Sequence, residues 1–364
     1  MPLSGGTDSR LIAAMLRDIG PRRLTAFTYG IKGSIEAETS RLVAAALDIP
    51  WQTVTLSPRR IHAAWSAEGT GSFLAYSHLG NALPHVQDWF AIRELSRAGV
   101  IGEDSVVLPG HTAARSYIPL PVGPDPGEVG SDKIIDAVIL RHFNQRGHFP
   151  LATPYRDLFS DRIREELQLS DSAKDPLDAA RLIQTFNIQH RQTKYILNSV
   201  RTYEHFGAGW SMPLLSAQCH RAMQDIDWSV QSTKEWYRRL TDSVVRRVAG
   251  ATLDDLRLAA EHPDHLPVPA PGAVSSGVTA ARRSFVRASR QLGNLRHPMA
   301  FEAFSRTPSA YLSGLARRQS PVGIFAHQFL QGTWNTSFSW RDPATWDAPR
   351  ATRTVQIALP NPRE

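Results

Sequence analysis

An octapeptide near the start of the chain, Leu3-Ser4-Gly5-Gly6-Thr7-Asp8-Ser9-Arg10, constrains the possible folds more than any other feature. It leads into an apolar run with helical spacing, Leu11 to Leu16, and therefore predicts a glycine turn followed by a helix. The Gly5-Gly6 pair has no Cβ atoms, so its backbone can approach a ligand closely. The turn's amides then lie at the positive end of the helix, where a phosphate binds favourably. Asp8 adds a hard oxygen ligand of the kind that Mg²⁺ prefers, and either Asp8 or Ser9 is suited to cap the first turn.

Short apolar segments alternate with an amphipathic segment after the loop. Strands are predicted at Leu24–Gly30, Trp51–Leu56 and Ser105–Leu108, with a helix over Glu36–Leu47 between the first two. This order is typical of parallel strands, and ligands bind at their carboxyl ends. We therefore expect an α/β fold with a doubly wound parallel sheet, in which Thr28 to Gly30 lie beside the loop.

Composition divides the chain into three predicted parts. Residues 1–125 form the α/β core, whose first strand is truncated to the three residues that precede the loop. Residues 126–250 carry helical patterns, which gives a largely helical C-terminal half. Residues 251–364 contain a Pro- and Arg-rich linker, a basic helix near Ala280 to Leu292 and a C-terminal extension.

Cysteine content, hydropathy and charge exclude several classes of protein. The single cysteine, Cys219, rules out an internal disulfide and a Cys-x-x-Cys metal or redox motif. No apolar run approaches the length of a membrane span and no signal-peptide pattern precedes the loop, so we expect a cytoplasmic protein. The formal charge of +7 permits an anionic partner, but it is not confined to one patch, which makes nucleic acid an unlikely partner.

The string Ser-Gly-Gly-x-Asp-Ser is similar to the pyrophosphate loop of ATP pyrophosphatases, which adenylate a carbonyl or carboxylate and release pyrophosphate. No Gly-Lys-Ser/Thr follows, so a Walker A loop is not indicated. Up to about residue 250 the chain resembles the synthetase domain of asparagine synthetases, in a branch often found near exopolysaccharide genes. Besides the loop, the resemblance depends on Phe27–Gly30, Val107–His111 and Arg191–Leu214. It implies an adenine nucleotide α-hydrolase-like fold.

This resemblance implies a site for ATP and Mg²⁺. The residues implied for nucleoside contacts are Leu3, Tyr29, Pro109 and Gly110. Those implied for the pyrophosphate are Ser4, Gly5, Gly6, Thr7, Asp8 and Ser9, with Asp8 as the metal ligand. Lys234 matches a family lysine that steadies charge during adenylation or amide formation, and His111 lies where it can donate a hydrogen bond to the adenylate. Alternatively, Lys234 is a solvated lysine on a helix surface and His111 has a structural role.

The chain also departs from the family pattern. Ala113 and Ala114 stand where the family usually has an acidic metal ligand. A Glu, an Arg and an Asp of the substrate-closing turn are replaced by Gly209, Ser211 and Ser216. The glutaminase domain of full asparagine synthetases has no counterpart here, so the expected nitrogen source is ammonia, an amine or a separate glutaminase subunit.

Three functions follow as hypotheses. The first is an ATP-dependent ligase that joins a small-molecule carboxylate to a nitrogen donor and releases pyrophosphate and AMP. The second is a tRNA-modifying ATP pyrophosphatase of the lysidine-forming type, since one cysteine does not support thiolation. The third is a catalytically impaired, nucleotide-binding homologue. The four replaced positions predict that aspartate is not the substrate or that catalysis is lost.

Overall fold

The computed structural model describes residues 1–67, 71–78, 82–111, 127–143, 155–224, 226–231, 235–250, 308–317 and 319–331. The predicted linker and basic helix after residue 250 lie outside these ranges, as do Ala113, Ala114 and Lys234. The division into three parts stays a prediction.

A parallel strand pair carries the loop at one end. Helix α1 (Thr7–Ile19) follows the loop, and strands β1 (Ala26–Gly30) and β2 (Trp51–Thr55) are joined by helix α2 (Ile35–Ala46). The two strands pair in parallel from Ala26 opposite Trp51 to Gly30 opposite Thr55. These bounds agree with the strand–helix–strand prediction to within two residues.

The three residues before the loop serve as a short strand on the other side of β1. The Leu3 amide donates to the Phe27 carbonyl at 2.8 Å, and the Phe27 amide donates to the Met1 carbonyl at 2.9 Å. Pro2 and Phe27 form a parallel bridge. These contacts fix the start of the loop against the sheet.

Apolar clusters lie on both faces of this strand pair. Helices α3 (Pro58–Ala67), α4 (Gly71–His78) and α5 (Trp89–Arg97) pack against Phe27 and Val54. The opposite cluster contains Ala26 together with buried residues of α1 and α2. The sequence prediction did not include α3 and α4. Helix α4 buries five consecutive residues, Phe73 to Ser77, and so shows no helical period, whereas α3 buries Ile61, Ala64 and Trp65 at helical spacing.

The third predicted strand is shorter than expected and pairs elsewhere. Strand β3 contains only Val106–Val107, and it pairs in parallel with β6 (Gly209–Trp210) in a separate two-stranded ladder. Pro109 lacks an N–H, which limits extension of the ladder beyond Leu108. Strands β4 (Val129–Gly130) and β5 (Ser172–Ala173) form an antiparallel pair. The structure is thus mixed α/β and mostly helical, and the described ladders do not form one doubly wound sheet.

Three helices form a separate apolar cluster in the middle of the chain: α6 (Ser131–His142), α7 (Tyr155–Leu167) and α8 (Pro176–Phe186). The Asp175 side chain caps α8 by accepting from the Asp178 amide at 2.9 Å, and Pro176 occupies its first turn. The helical pattern from Leu177 to Phe206 is not one continuous α-helix, because its winding changes after α8. A π-helix (187–196) and a 3₁₀ turn (197–200) precede α9 (Arg201–His205).

The remaining helices bring later residues back to the strand pair. They are α10 (Ala217–Gln224), α11 (Trp228–Gln231), α12 (Glu235–Ala249), α13 (Pro308–Ala316) and α14 (Pro321–Gln331). Helix α12 packs along α1, and Phe325 and Phe329 of α14 join the cluster that contains Phe27. Within the described ranges, no helix is both long and apolar enough to cross a bilayer.

A pH dependence of stability follows from His142 at the end of α6. Burial, followed by the charge of Arg141, lowers the pKa of His142 from 6.5 to about 4. The unfolded chain therefore binds this proton first, and the free energy of unfolding should fall as the pH decreases from about 6.5 towards 4. Urea unfolding of the wild type should give a lower free energy of unfolding at pH 5.5 than at pH 7.5. In His142→Gln this difference should be smaller by about 1 kcal/mol, a figure that allows for partial solvent screening. The control is His62→Gln at an exposed position of α3; equal pH dependence of the two variants would contradict the prediction.

Candidate functional site

A cavity of about 360 Å³ lies where the loop, the end of β1 and the turn after β3 meet. Its lining includes these sequence-predicted residues: Leu3, Ser4, Gly6, Asp8, Ser9, Tyr29, Pro109, Gly110 and His111. Gly5 and Thr7 belong to the same loop but do not line the cavity. Thr28 and Gly30 also line it, as expected for residues at the carboxyl end of a parallel strand.

The loop is held in shape by hydroxyl groups. Helix α1 begins at Thr7 with Gly6 as its N-cap residue, so neither Asp8 nor Ser9 caps it as the sequence predicted. The buried Ser9 hydroxyl instead accepts from the Ser4 amide at 3.1 Å and lies 3.2 Å from the Gly6 carbonyl. The amides of the first helical turn have no partner within the helix, which leaves them available to an anion in the cleft.

Buried side chains fix the residue that precedes the loop. The Leu3 carbonyl accepts from the Thr28 hydroxyl at 2.6 Å and from the Ser40 hydroxyl at 2.9 Å. The Trp51 indole N–H donates in turn to the Thr28 hydroxyl oxygen at 3.0 Å. Both strands and α2 therefore contribute to the position at which the loop leaves the sheet.

The second glycine turn touches the start of α1. A Cβ atom at Gly110 would lie 2.9 Å from the Ser9 amide nitrogen and 3.0 Å from its Cα. These contacts involve backbone atoms, which cannot move aside as the end of a side chain can. Glycine is therefore the residue that fits at this position without a shift, and the turn packs directly on the Ser4–Ser9 loop.

A buried carboxylate forms the wall opposite the loop. The Tyr29 hydroxyl donates to one oxygen of Asp88, and the Tyr203 hydroxyl donates to the other at 3.4 Å. All three side chains line the cavity, and Asp88 is only 4% exposed. Burial, together with the Asp88 charge, raises the pKa of both tyrosines, so both remain neutral hydrogen-bond donors at physiological pH.

His85 lies beside this carboxylate and also lines the cavity. Its ring packs 5.2 Å from that of Tyr195 in the π-helix, and its buried Nδ1 has no hydrogen-bond partner among the residues that the structure places. Burial lowers the pKa of His85, although Asp88 opposes the shift. The imidazole is therefore mainly neutral near pH 7.

Sequence analysis assigned no role to His85, Asp88 or Tyr203. Their only signal was a polar segment directly before the apolar helix α5 and a tyrosine within a helical run. Asp88 and Tyr203 are 115 positions apart in the chain. Residue type and spacing alone therefore do not show that these side chains line the same cavity.

The residue types around Asp8 fit a magnesium–triphosphate complex. Among the described residues, no cluster of three or more His, Cys, Asp or Glu side chains is arranged to hold a metal alone. Mg²⁺ usually keeps water molecules and binds through one or two carboxylates plus substrate phosphates. A single carboxylate at the start of α1, beside helix amides, matches that pattern.

The residues predicted to differ from the family pattern make local contacts. The Ser211 amide donates to the Val107 carbonyl at 3.0 Å, and Gly209 pairs with Val106 in the β3–β6 ladder. The Ser216 hydroxyl accepts from the Cys219 amide at 3.2 Å at the start of α10. Gly209, Ser211 and Ser216 are not among the residues that line the cavity.

Comparison with known proteins supports a relationship for the N-terminal part of the chain. The sequence profile of the family described as asparagine synthase matches residues 1–68. This range contains the loop, β1, α2 and β2. No curated protein matches the chain. The family match indicates a relationship to ATP-dependent, amide-forming synthetases.

The close approach at Gly110 generates a test of the loop contact. Gly110→Ala should lower the free energy of unfolding by about 1–3 kcal/mol, because the new methyl group meets the Ser9 backbone. Urea unfolding measures this change. Gly102→Ala is the control, since a Cβ atom there meets nothing within 4 Å. Equal free energies of unfolding for the two variants would contradict the prediction, because they would mean that the loop accommodates the methyl group.

Proposed function

We propose that this chain is an asparagine synthetase-like ligase that uses ATP to adenylate a small-molecule carboxylate and then forms an amide. The observation that supports it most is the Ser4–Ser9 loop at the start of α1, which carries Asp8 and opens into the cavity between β1 and Pro109–Gly110. The asparagine synthase match over residues 1–68 contains this loop.

The loop and α1 supply the electrostatics of the first step. ATP binds with its phosphates against the first-turn amides, where the helix dipole favours negative charge. Asp8 would hold Mg²⁺, which when bound would supply positive charge beside the pyrophosphate. The amides are fixed before the reaction by the Ser9 and Gly110 contacts, so little reorganisation accompanies the build-up of charge.

The other proposed contacts lie on the remaining walls of the cavity. Leu3, Tyr29, Pro109 and Gly110 contact the nucleoside, while His111 donates a hydrogen bond beside the acyl-adenylate. Holding the adenylate and the nitrogen nucleophile together supplies much of the remaining rate. Lys234, which precedes α12 in the sequence, is proposed to steady charge during this step.

The acceptor and the nitrogen source differ from those of the classical reaction. Ser211 cannot form the two parallel hydrogen bonds that an arginine makes to a carboxylate. The Ser216 hydroxyl accepts a hydrogen bond from the Cys219 amide at the start of α10. The proposed substrate is therefore a carboxylate other than aspartate. The proposed sources of nitrogen are ammonia, an amine or a separate glutaminase subunit.

A second candidate is a nucleotide-binding homologue that has lost catalysis. The structural use of Gly209, Ser211 and Ser216 favours it. Pyrophosphate release with ATP and a panel of carboxylates separates the two candidates. Adenylation that depends on tRNA instead of a small carboxylate would favour a tRNA-modifying enzyme.

The role of Asp8 can be tested by binding. Asp8→Ala should weaken ATP–Mg²⁺ binding by about 1–3 kcal/mol, because a charged ligand of the metal is removed. Isothermal titration calorimetry measures the affinity. Asp18→Ala is the matched control on the same helix, since Asp18 pairs with Arg247 at the opposite end of α1. Equal affinities of wild type and Asp8→Ala would refute Asp8 as a metal ligand.

Aspartate should be a poor substrate because the acceptor side of the site lacks the bidentate arginine. ATP–pyrophosphate exchange with aspartate and ammonia should be slow compared with the best carboxylate of the panel. A turnover on the order of 1 s⁻¹ or more with aspartate, which is within the ordinary enzyme range, would contradict this prediction.

A further inference from the structure

Helices α1 and α12 run side by side in the same direction. Near their first turns, the Asp8 carboxylate faces the Tyr237 hydroxyl. Near their last turns, the Arg247 guanidinium donates to Asp18 at 2.7 Å. The start of α12 is therefore brought to the phosphate loop, and the positive ends of two helix dipoles lie at the same end of the pair.

Tyr237 is an unusual residue for this position. Its side chain is 2% exposed and belongs to the apolar cluster that contains Leu11 and Ala14 of α1. The hydroxyl group is buried and makes no fully formed hydrogen bond with the described residues, and the Asp8 carboxylate is the acceptor that faces it. Buried hydroxyl groups without a partner are rare, and each calls for a specific explanation.

The Tyr237 phenol is suited to donate a hydrogen bond to this carboxylate. A tyrosine hydroxyl carries a proton near pH 7 and can donate one hydrogen bond. Because the side chain is 2% exposed, water does not compete with Asp8 for that proton.

We propose that Tyr237 is a positioning residue of the nucleotide site, whose hydroxyl donates to one oxygen of Asp8 and leaves the other oxygen for Mg²⁺. An ionised carboxylate offers about four acceptor positions on its two oxygens, so both contacts are compatible. Groups that orient metal ligands in this way typically affect metal affinity 10–100-fold. This inference rests on the proposed function, because it takes Asp8 as a ligand of ATP-bound Mg²⁺.

The packing of α12 makes this arrangement rigid. Tyr237 and Val245 are buried against α1 at 2% and 1% exposure. The partly buried Arg10 of α1 also faces Asp242 of α12. The contacts that fix α1 therefore also fix the position of Tyr237 relative to Asp8.

The test is the Mg²⁺ dependence of ATP binding in Tyr237→Phe, which removes only the hydroxyl. We expect the Mg²⁺ concentration for half-maximal ATP binding to rise on the order of tenfold. ATP binding in the presence of EDTA should stay unchanged. The control is Thr241→Val, which removes another buried hydroxyl from α12, one that donates to the Tyr237 carbonyl and does not face Asp8.

A double-variant cycle separates positioning from a general structural role. If Tyr237 acts through Asp8, Tyr237→Phe should change Mg²⁺ dependence in the wild-type background but have little further effect in Asp8→Ala. Full additivity of the two substitutions would overturn the proposal. An equal loss of ATP affinity with and without Mg²⁺, or an unchanged Mg²⁺ dependence, would also overturn it.

Failure of the proposed function gives a different result. A wild-type chain that binds ATP–Mg²⁺ but exchanges no pyrophosphate with any carboxylate contradicts the ligase activity, while the Tyr237 comparison still decides the positioning role. A wild-type chain that does not bind ATP–Mg²⁺ overturns both.

Discussion

The hydrogen bonds between residues 1–3 and β1 are the constraint on which the shape of the cavity depends. They place Leu3 in the sheet, and the Thr28 and Ser40 hydroxyls then hold its carbonyl from two sides. The chain therefore leaves the sheet at one fixed point, immediately before the Ser4–Ser9 loop. Because α1 starts three residues after Ser4, its first-turn amides face the cavity without further adjustment.

Two contacts join this loop to distant parts of the chain. Gly110 approaches the Ser9 backbone so closely that a methyl group would collide with it. On the other side, α12 packs along α1 and directs the buried Tyr237 hydroxyl at Asp8. The phosphate loop is therefore supported by a turn about 100 positions away and by a helix more than 200 positions away. Fixed amides and an oriented carboxylate are what charge stabilisation at a leaving pyrophosphate needs.

Part of the cavity wall is polar and buried around Asp88. Tyr29 and Tyr203 donate to that carboxylate, and the neighbouring His85 is mainly neutral because burial lowers its pKa. None of these four side chains is a cation that could pair with the second carboxylate of aspartate. This agrees with the proposal of a substrate other than aspartate.

The sequence alone determined the loop and the parallel β1–α2–β2 unit, because these depend on local signals: a Gly-Gly turn, apolar strands and a 3.6-residue period. The family resemblance added Leu3, Tyr29, Pro109, Gly110 and His111, all of which line the cavity.

The sequence could not reveal that Val106–Val107 pairs with Gly209–Trp210, or that the helical run after Phe186 changes to a π-helix, since strand pairing and helix winding depend on long-range packing. Only the tertiary structure showed where Asp88 and Tyr237 lie. Each is an ordinary polar residue in the sequence, and in the fold each is buried beside a group that is far away along the chain.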